Sequence, residues 1–332
     1  MTNNTTPRKR SKRPPVTKFF FIFSELRGLL EKEPGPRYIF PRQTKKEQIR
    51  KEPSVADPMA QLDRCERRFA SWEFAVPGFA GILRELLCSP PPARKEEGLI
   101  NVSSGKYVWH LRRRNDDAEE FDFAWKTNPG KTPWRYILRP SLTTREARNY
   151  LRFAALGVPT PRVLAAGDIR VGFILKQCFI ATAFVPGSDD GRAFMPGGAR
   201  RGETALKLEF CRKNLKLLAG IHDAGIFHKA FHPRNLLWRG GAGAVEVFWI
   251  DVARCRPVPA RKLPRAVLVD LHVFFRDMRL RAAELAELAE FYLSCRKSGG
   301  YPGGRERLIA DLYGFRRRRT SRKRYILTEE MA

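Results

Sequence analysis

His228-Lys229-Ala230-Phe231-His232-Pro233-Arg234-Asn235-Leu236-Leu237, followed shortly by Val245-Glu246-Val247-Phe248-Trp249-Ile250-Asp251, is the stretch on which the reading of this chain turns. Its order is the one that phosphoryl transfer to a hydroxyl uses. An Asp early in such a loop orients and deprotonates the acceptor, while an Asn later in the loop and an Asp after the next strand hold Mg²⁺. Asn235 and Asp251 supply that metal pair, with the apolar run Val245–Ile250 as the strand that delivers Asp251 to a cleft. Ala230 stands where the base is expected. The bland alternative is a turn Asp after any strand and a turn Asn capping a local bend.

Working back toward the N-terminus, Leu206, Phe210, Leu217, Leu218 and Ile221 recur near helical spacing up to Gly225, so a helix leads into the loop. Two strand candidates lie before it, Gly172 to Leu175 and Cys178 to Val185, the second broken by Pro186-Gly187. Pro159 and Pro161 predict an extended connection ahead of them. Thr143-Thr144-Arg145-Glu146 reads as a capping box opening a helix that Gly157 ends. Tyr107 to Leu111 and Glu120 to Lys126, separated by the polar turn Asn115-Asp116-Asp117, read as a hairpin. After Arg261 the chain reads as mainly helical, most clearly over Ala266–Phe275 and Ala282–Leu293. Strands carrying one helix, then a break, then helices predict an α+β, bilobal kinase-like fold with a small strand-rich N-lobe and a helical C-lobe.

The expected organisation is a basic arm over 1–17, a partly helical extension over 18–99, an N-lobe over 100–187, a C-lobe over 188–315 and a basic tail over 316–332. Within it, Lys126 at a strand end and Glu146 near a helix start are placed as the pair that clamps the α- and β-phosphates of ATP. Taken singly, Lys126 is equally an exposed strand-end lysine and Glu146 the reciprocal acid of the capping box. His228 is assigned support, its ring bracing the loop backbone by hydrogen bonding. His232 lies two residues from Ala230, and an imidazole accepts protons near neutral pH, which makes it a candidate replacement base. In place of a GxGxxG loop, Val102-Ser103-Ser104-Gly105 is the nearest turn able to cradle phosphate.

Composition bounds the partners. With 63 Lys+Arg against 35 Asp+Glu, the net charge of +28 calls for an anionic partner: a nucleotide, a phosphorylated sugar, nucleic acid or an anionic lipid surface. Nucleic-acid binding through the basic ends is an alternative function that the charge allows, disfavoured because those ends carry no interleaved aromatics and no nucleic-acid-binding motif is present. The six cysteines form neither a CxxC pair nor a Cys/His cluster and read as free thiols of a reducing cytosol. The early run Phe19–Phe23 falls well short of the ~20 apolar residues of a spanning helix. The expectation is a cytoplasmic protein, peripheral at most to the inner membrane through its basic ends.

Together, Lys126, Glu146, Gly157-Val158-Pro159-Thr160-Pro161, His222-x-x-Gly225-x-x-His228, Asn235-Leu236-Leu237, Ile250-Asp251 and Asp270-Leu271 resemble the bacterial lipopolysaccharide kinase family (Kdo/WaaP, or InaA type) over residues 100 to 295. The resemblance implies a protein-kinase-like fold and transfer of the γ-phosphate of ATP, with Mg²⁺, to a sugar hydroxyl of lipopolysaccharide core or a related glycolipid. It implies that Lys126 holds phosphates, Glu146 orients it, and Asn235 with Asp251 holds the metal. Ala230 departs from the family's His-x-Asp pattern, so a pseudokinase that binds nucleotide or regulates without turnover is the second expectation.

Overall fold

Alternation of apolar and polar residues with period two builds the N-terminal half. In Glu120–Pro129, Phe121, Phe123, Trp125 and Thr127 are buried while Asp122, Ala124 and Lys126 face the other side of the pleat. The computed structural model describes residues 72–91, 98–103, 106–129, 136–137, 139–297 and 300–315. The basic arm 1–17, residues 18–71, Ser104 and Gly105 of the candidate phosphate turn, and the tail 316–332 lie outside them.

Strands β1 (Trp72–Ala75), β2 (Leu99–Ser103), β3 (Lys106–Arg114), β4 (Glu120–Pro129), β5 (Val163–Val171) and β6 (Ile174–Ala183) form one antiparallel sheet in the order β1-β5-β6-β4-β3-β2. The hairpin read from sequence is present, with Tyr107 opposite Thr127 and Arg114 opposite Glu120. Each face of the sheet is covered by a helix. Helix α1 (Ala80–Cys88) buries Ile82, Leu83 and Leu86 against Trp109, Phe123, Trp125 and Phe179. Phe79, just before it, sets its ring edge-on to Phe121 and Phe123 at 5.3 and 5.0 Å. Helix α2 (Leu142–Ala155) covers the opposite face, where Ala147, Tyr150 and Phe153 join the cluster containing Ala166 and Ile180.

Three local readings are corrected. Gly172 and Phe173 form the two-residue loop between β5 and β6, because Val171 pairs with Ile174; they are not the start of a strand. The segment after Pro161 is strand β5, nine residues long. Helix α2 is capped by Ser141, whose Oγ accepts from the Thr144 amide at 3.0 Å, and not by Thr143 with Glu146. The helix does end at Gly157: with φ of +73° it lets the Val158 amide reach the Phe153 carbonyl and its own amide reach the Ala154 carbonyl.

The C-terminal half is helical. Helix α3 (Thr204–Asp223) is surrounded by α4 (Leu263–Met278), α5 (Ala282–Ser294) and α6 (Gly304–Gly314), with Phe210, Leu218, Leu271, Phe274, Leu288 and Tyr292 fully buried among them. The short strands β7 (Asp189–Asp190), β9 (Leu236–Arg239) and β10 (Glu246–Trp249) form one sheet, and β8 (Ile226–Phe227) with β11 (Arg256–Pro257) a second. The structure is thus α+β with a strand-rich N-lobe and a helical C-lobe. Among the described residues no helix is long and apolar enough to cross a membrane, and five cysteines are free thiols.

Candidate active site

Lys126 projects from the middle of β4, on the face toward α2. Its Nζ lies 2.7 and 3.0 Å from the two carboxylate oxygens of Glu146 and 3.4 Å from Oδ1 of Asp251. Glu146 is the fifth residue of α2 and is buried, and it also accepts from the Tyr150 hydroxyl at 3.3 Å. Because Ser141 caps the helix, the Glu146 carboxylate is available to the lysine. Burial works to lower the Lys126 pKa, but the carboxylates of Glu146 and Asp251 outweigh it, so the ammonium is held charged. Burial, followed by the same two carboxylates, pushes Tyr150 well up, so its hydroxyl stays a donor.

The hairpin β9–β10 brings the loop and Asp251 together. Leu236 pairs with Trp249, and the Ile250 amide donates to the Asn235 carbonyl at 2.9 Å, so residues 235 and 251 leave the same end of the hairpin. The Asn235 side chain donates from Nδ2 to the Ala230 carbonyl at 2.9 Å. The Asp251 side chain is 51% exposed. Both Lys229 (φ +67°) and Asp251 (φ +52°, ψ +43°) adopt the left-handed conformation, which costs free energy for residues with a side chain and collects at functional sites. One amide oxygen and one carboxylate fit Mg²⁺, which keeps waters and substrate phosphates in its shell and needs few protein ligands.

Ala230 is buried, and its carbonyl accepts from both the Asn235 side chain and the His232 amide, the latter at 2.7 Å. His232 turns Nδ1 to Oδ2 of Asp277 on α4, at 2.7 Å. Burial works to raise the Asp277 pKa, but hydrogen bonds from His232 and Arg276 overcome it and hold the carboxyl below its usual range.

His228 braces the loop in a different way from the one expected. Its ring is fully buried, neither ring nitrogen has a hydrogen-bond partner, and it packs at 5.2 Å from both Phe231 and Trp249. Burial lowers its pKa to about 4, so the ring is neutral. The backbone is tied instead by Asp270 on α4, which accepts from the amides of His228 at 2.9 Å and Lys229 at 2.8 Å. Nε2 of His222 lies 3.3 Å from the same carboxylate, and its Nδ1 2.7 Å from the Tyr292 hydroxyl.

Sequence reasoning thus left four residues without a role: Asp270, Asp277, Asn149 and Tyr150. Asp270 carried a signal, an acid inside the apolar helical run Ala266–Phe275. Asp277 and Asn149 carried none, since His232 and the carbonyls of Val252 and Cys255 lie far from them in sequence, whereas Tyr150 stands four residues after Glu146 on one helix, a spacing that brings the two side chains together.

A strand-rich lobe whose lysine–glutamate pair meets an Asp of the helical lobe, 3.4 Å from the lysine, belongs to a kinase-like fold. Residues 130–292 match the family described as "Lipopolysaccharide kinase (Kdo/WaaP) family". The likeness to that family holds over this segment, which takes in Glu146, the 228–235 loop, Asp251 and Asp270 and begins four residues after Lys126. Among solved structures, one described as "WaaP in complex with acyl carrier protein" is similar, at 16% identity and a TM-score of 0.45, over 73% of this chain and 99% of that one. No curated protein matches the chain.

Proposed function

We propose that this protein transfers the γ-phosphate of ATP, with Mg²⁺, to a sugar hydroxyl of lipopolysaccharide core or a related glycolipid. The observation that carries the reading is the convergence on Lys126, whose ammonium lies 2.7 Å from Glu146 and 3.4 Å from Asp251. Lys126, oriented by Glu146, holds the α- and β-phosphates. Asn235 Oδ1 and the Asp251 carboxylate are the oxygens that would hold Mg²⁺, which neutralises charge developing on the transferred group.

His232 takes the part of the missing acid. With Asp277 accepting from Nδ1, Nε2 is left as the acceptor for the hydroxyl proton. We extend the reading to the basic ends, which favour peripheral contact with the anionic face of the inner membrane, where each cation contributes about 1 kcal/mol.

The test is incubation of the full chain with Mg²⁺, labelled ATP and deacylated lipopolysaccharide core. Transfer is expected, and Asp251→Asn lowers it by about 10²-fold or more. Absence of transfer by the native chain, or full transfer by Asp251→Asn, overturns the proposal. A second reading, a nucleotide-binding pseudokinase, is favoured by the buried methyl of Ala230 in the base position. Ala230→Asp separates the two. An active enzyme transfers phosphate in both forms, with a gain toward about 10²- to 10⁴-fold in Ala230→Asp to the extent that His232 falls short of a carboxylate base, whereas a pseudokinase shows nucleotide binding without transfer in either form.

A further inference from the structure

The helix that carries Glu146 also holds the loop that carries Asp251. Asn149, one turn beyond Glu146 on α2, is buried and spends both amide hydrogens on backbone carbonyls of that loop: Val252 at 2.8 Å and Cys255 at 3.1 Å. Val252 and Cys255 bracket the 3₁₀ turn Val252–Arg254, which starts immediately after Asp251. A carboxamide is well suited to this, because it offers two donors on one nitrogen. Aspartate offers no donor and leucine, of similar size, offers none. The next residue, Tyr150, donates to Glu146 from the same turn of the helix.

We infer that Asn149 is a positioning residue that fixes Asp251 for metal binding and couples the Asp251 loop to the helix that orients Lys126. Asp251 sits in the left-handed region, a conformation that a non-glycine residue keeps only when its surroundings impose it. The two hydrogen bonds from Asn149 impose it from the following turn. They also mean that α2 cannot move away from Lys126 without breaking two buried hydrogen bonds, after which the Val252 carbonyl keeps the Cys255 amide at 3.0 Å and the Cys255 carbonyl loses the Asn149 donor. The ammonium side and the metal side of the cleft are therefore set together.

This inference rests on the proposed function, and the experiment separates the two. Binding of a nonhydrolysable ATP analogue to the full chain is measured by calorimetry with Mg²⁺ and again in EDTA, for the native protein, Asn149→Leu, Asn149→Gln and Asp251→Asn. Asn149→Leu is expected to lose about tenfold in the Mg²⁺-dependent affinity, a loss typical of one supporting residue behind a metal ligand, with a clearly smaller loss in EDTA. Asn149→Gln keeps both donors on a longer arm and falls between. In the Asp251→Asn background Asn149→Leu changes nothing further, as expected of residues acting through one another.

Native-like Mg²⁺ dependence in Asn149→Leu overturns the inference. So does an equal loss with and without Mg²⁺, the mark of general destabilisation. If Asn149→Leu does not fold, native-like Mg²⁺ dependence in Asn149→Gln overturns it equally. Failure of the native chain to bind the analogue at all would remove the proposed function and this inference with it.

Discussion

Ala230 and His228 show how two neighbouring residues depart from what their positions suggest. The Ala230 side chain is a methyl group and does nothing for proton transfer, while its carbonyl anchors the Asn235 amide, so the loop keeps its shape without its acid. The His228 ring is a packing group, and its titration has a consequence for stability. In the unfolded chain a histidine protonates near its ordinary value of about 6.5, and in the folded chain burial lowers His228 to about 4. Its contribution is therefore complete above about pH 6.5 and is lost as pH falls from there toward 4, because the unfolded state takes up the proton first. The window corresponds to about 3 kcal/mol. His222 is shifted in the same direction, also chiefly by burial. His228→Phe keeps an aromatic ring against Phe231 and Trp249 and removes one titration. Urea midpoints measured between pH 7.5 and 4.5 are expected to fall less steeply for this variant than for the native chain. An unchanged slope would show that the buried ring does not carry the effect.

Elements were legible where their signal is local and obscure where it comes from pairing across the chain. The β3–β4 hairpin, α3, and the strand before Asp251 each announce themselves through their own periodicity. Strand β5 does not: Pro159 and Pro161 mask its start, and its strand character comes from lying between β1 and β6. β1 and α1 lie in a segment from which sequence drew no functional account, yet they complete one sheet edge and cover one face. Helix α6 was not singled out, since only Leu308 and Leu312 of its residues are buried. The start of α2 was misjudged by two residues because Ser141, Thr143 and Thr144 all have capping chemistry, and only the fold selects Ser141. Its Oγ is buried and lies 2.9 Å from the hydroxyls of both Thr143 and Thr144, in addition to capping the helix. Ser141→Ala is expected to cost about 1–2 kcal/mol in chemical denaturation. A variant as stable as the native chain would mean that Thr143 or Thr144 takes over the cap.

Across the whole molecule, one continuous apolar cluster runs from Phe74 and Ile180 of the N-lobe through Phe153 to Phe274 and Leu312 of the C-lobe, so the site is set on a shared core. Charge is distributed differently. The arm 1–17 holds five cations and no acid, and the tail 316–332 holds seven cations against two acids, so much of the net +28 belongs to the body of the protein. Attraction of that body to an anionic leaflet is long-range and weakly specific, whereas cations concentrated in a short tail act together within a Debye length of the surface. If the tail provides the membrane contact, deleting 316–332 should lower flotation of the full chain with vesicles rich in anionic phospholipid by about tenfold or more. Vesicles of zwitterionic phospholipid should float neither form, and salt at about 1 M should release the native chain, since the Debye length there is only about 3 Å. Equal flotation of the native and tail-deleted chains would place the attraction on the body and leave the tail without this role.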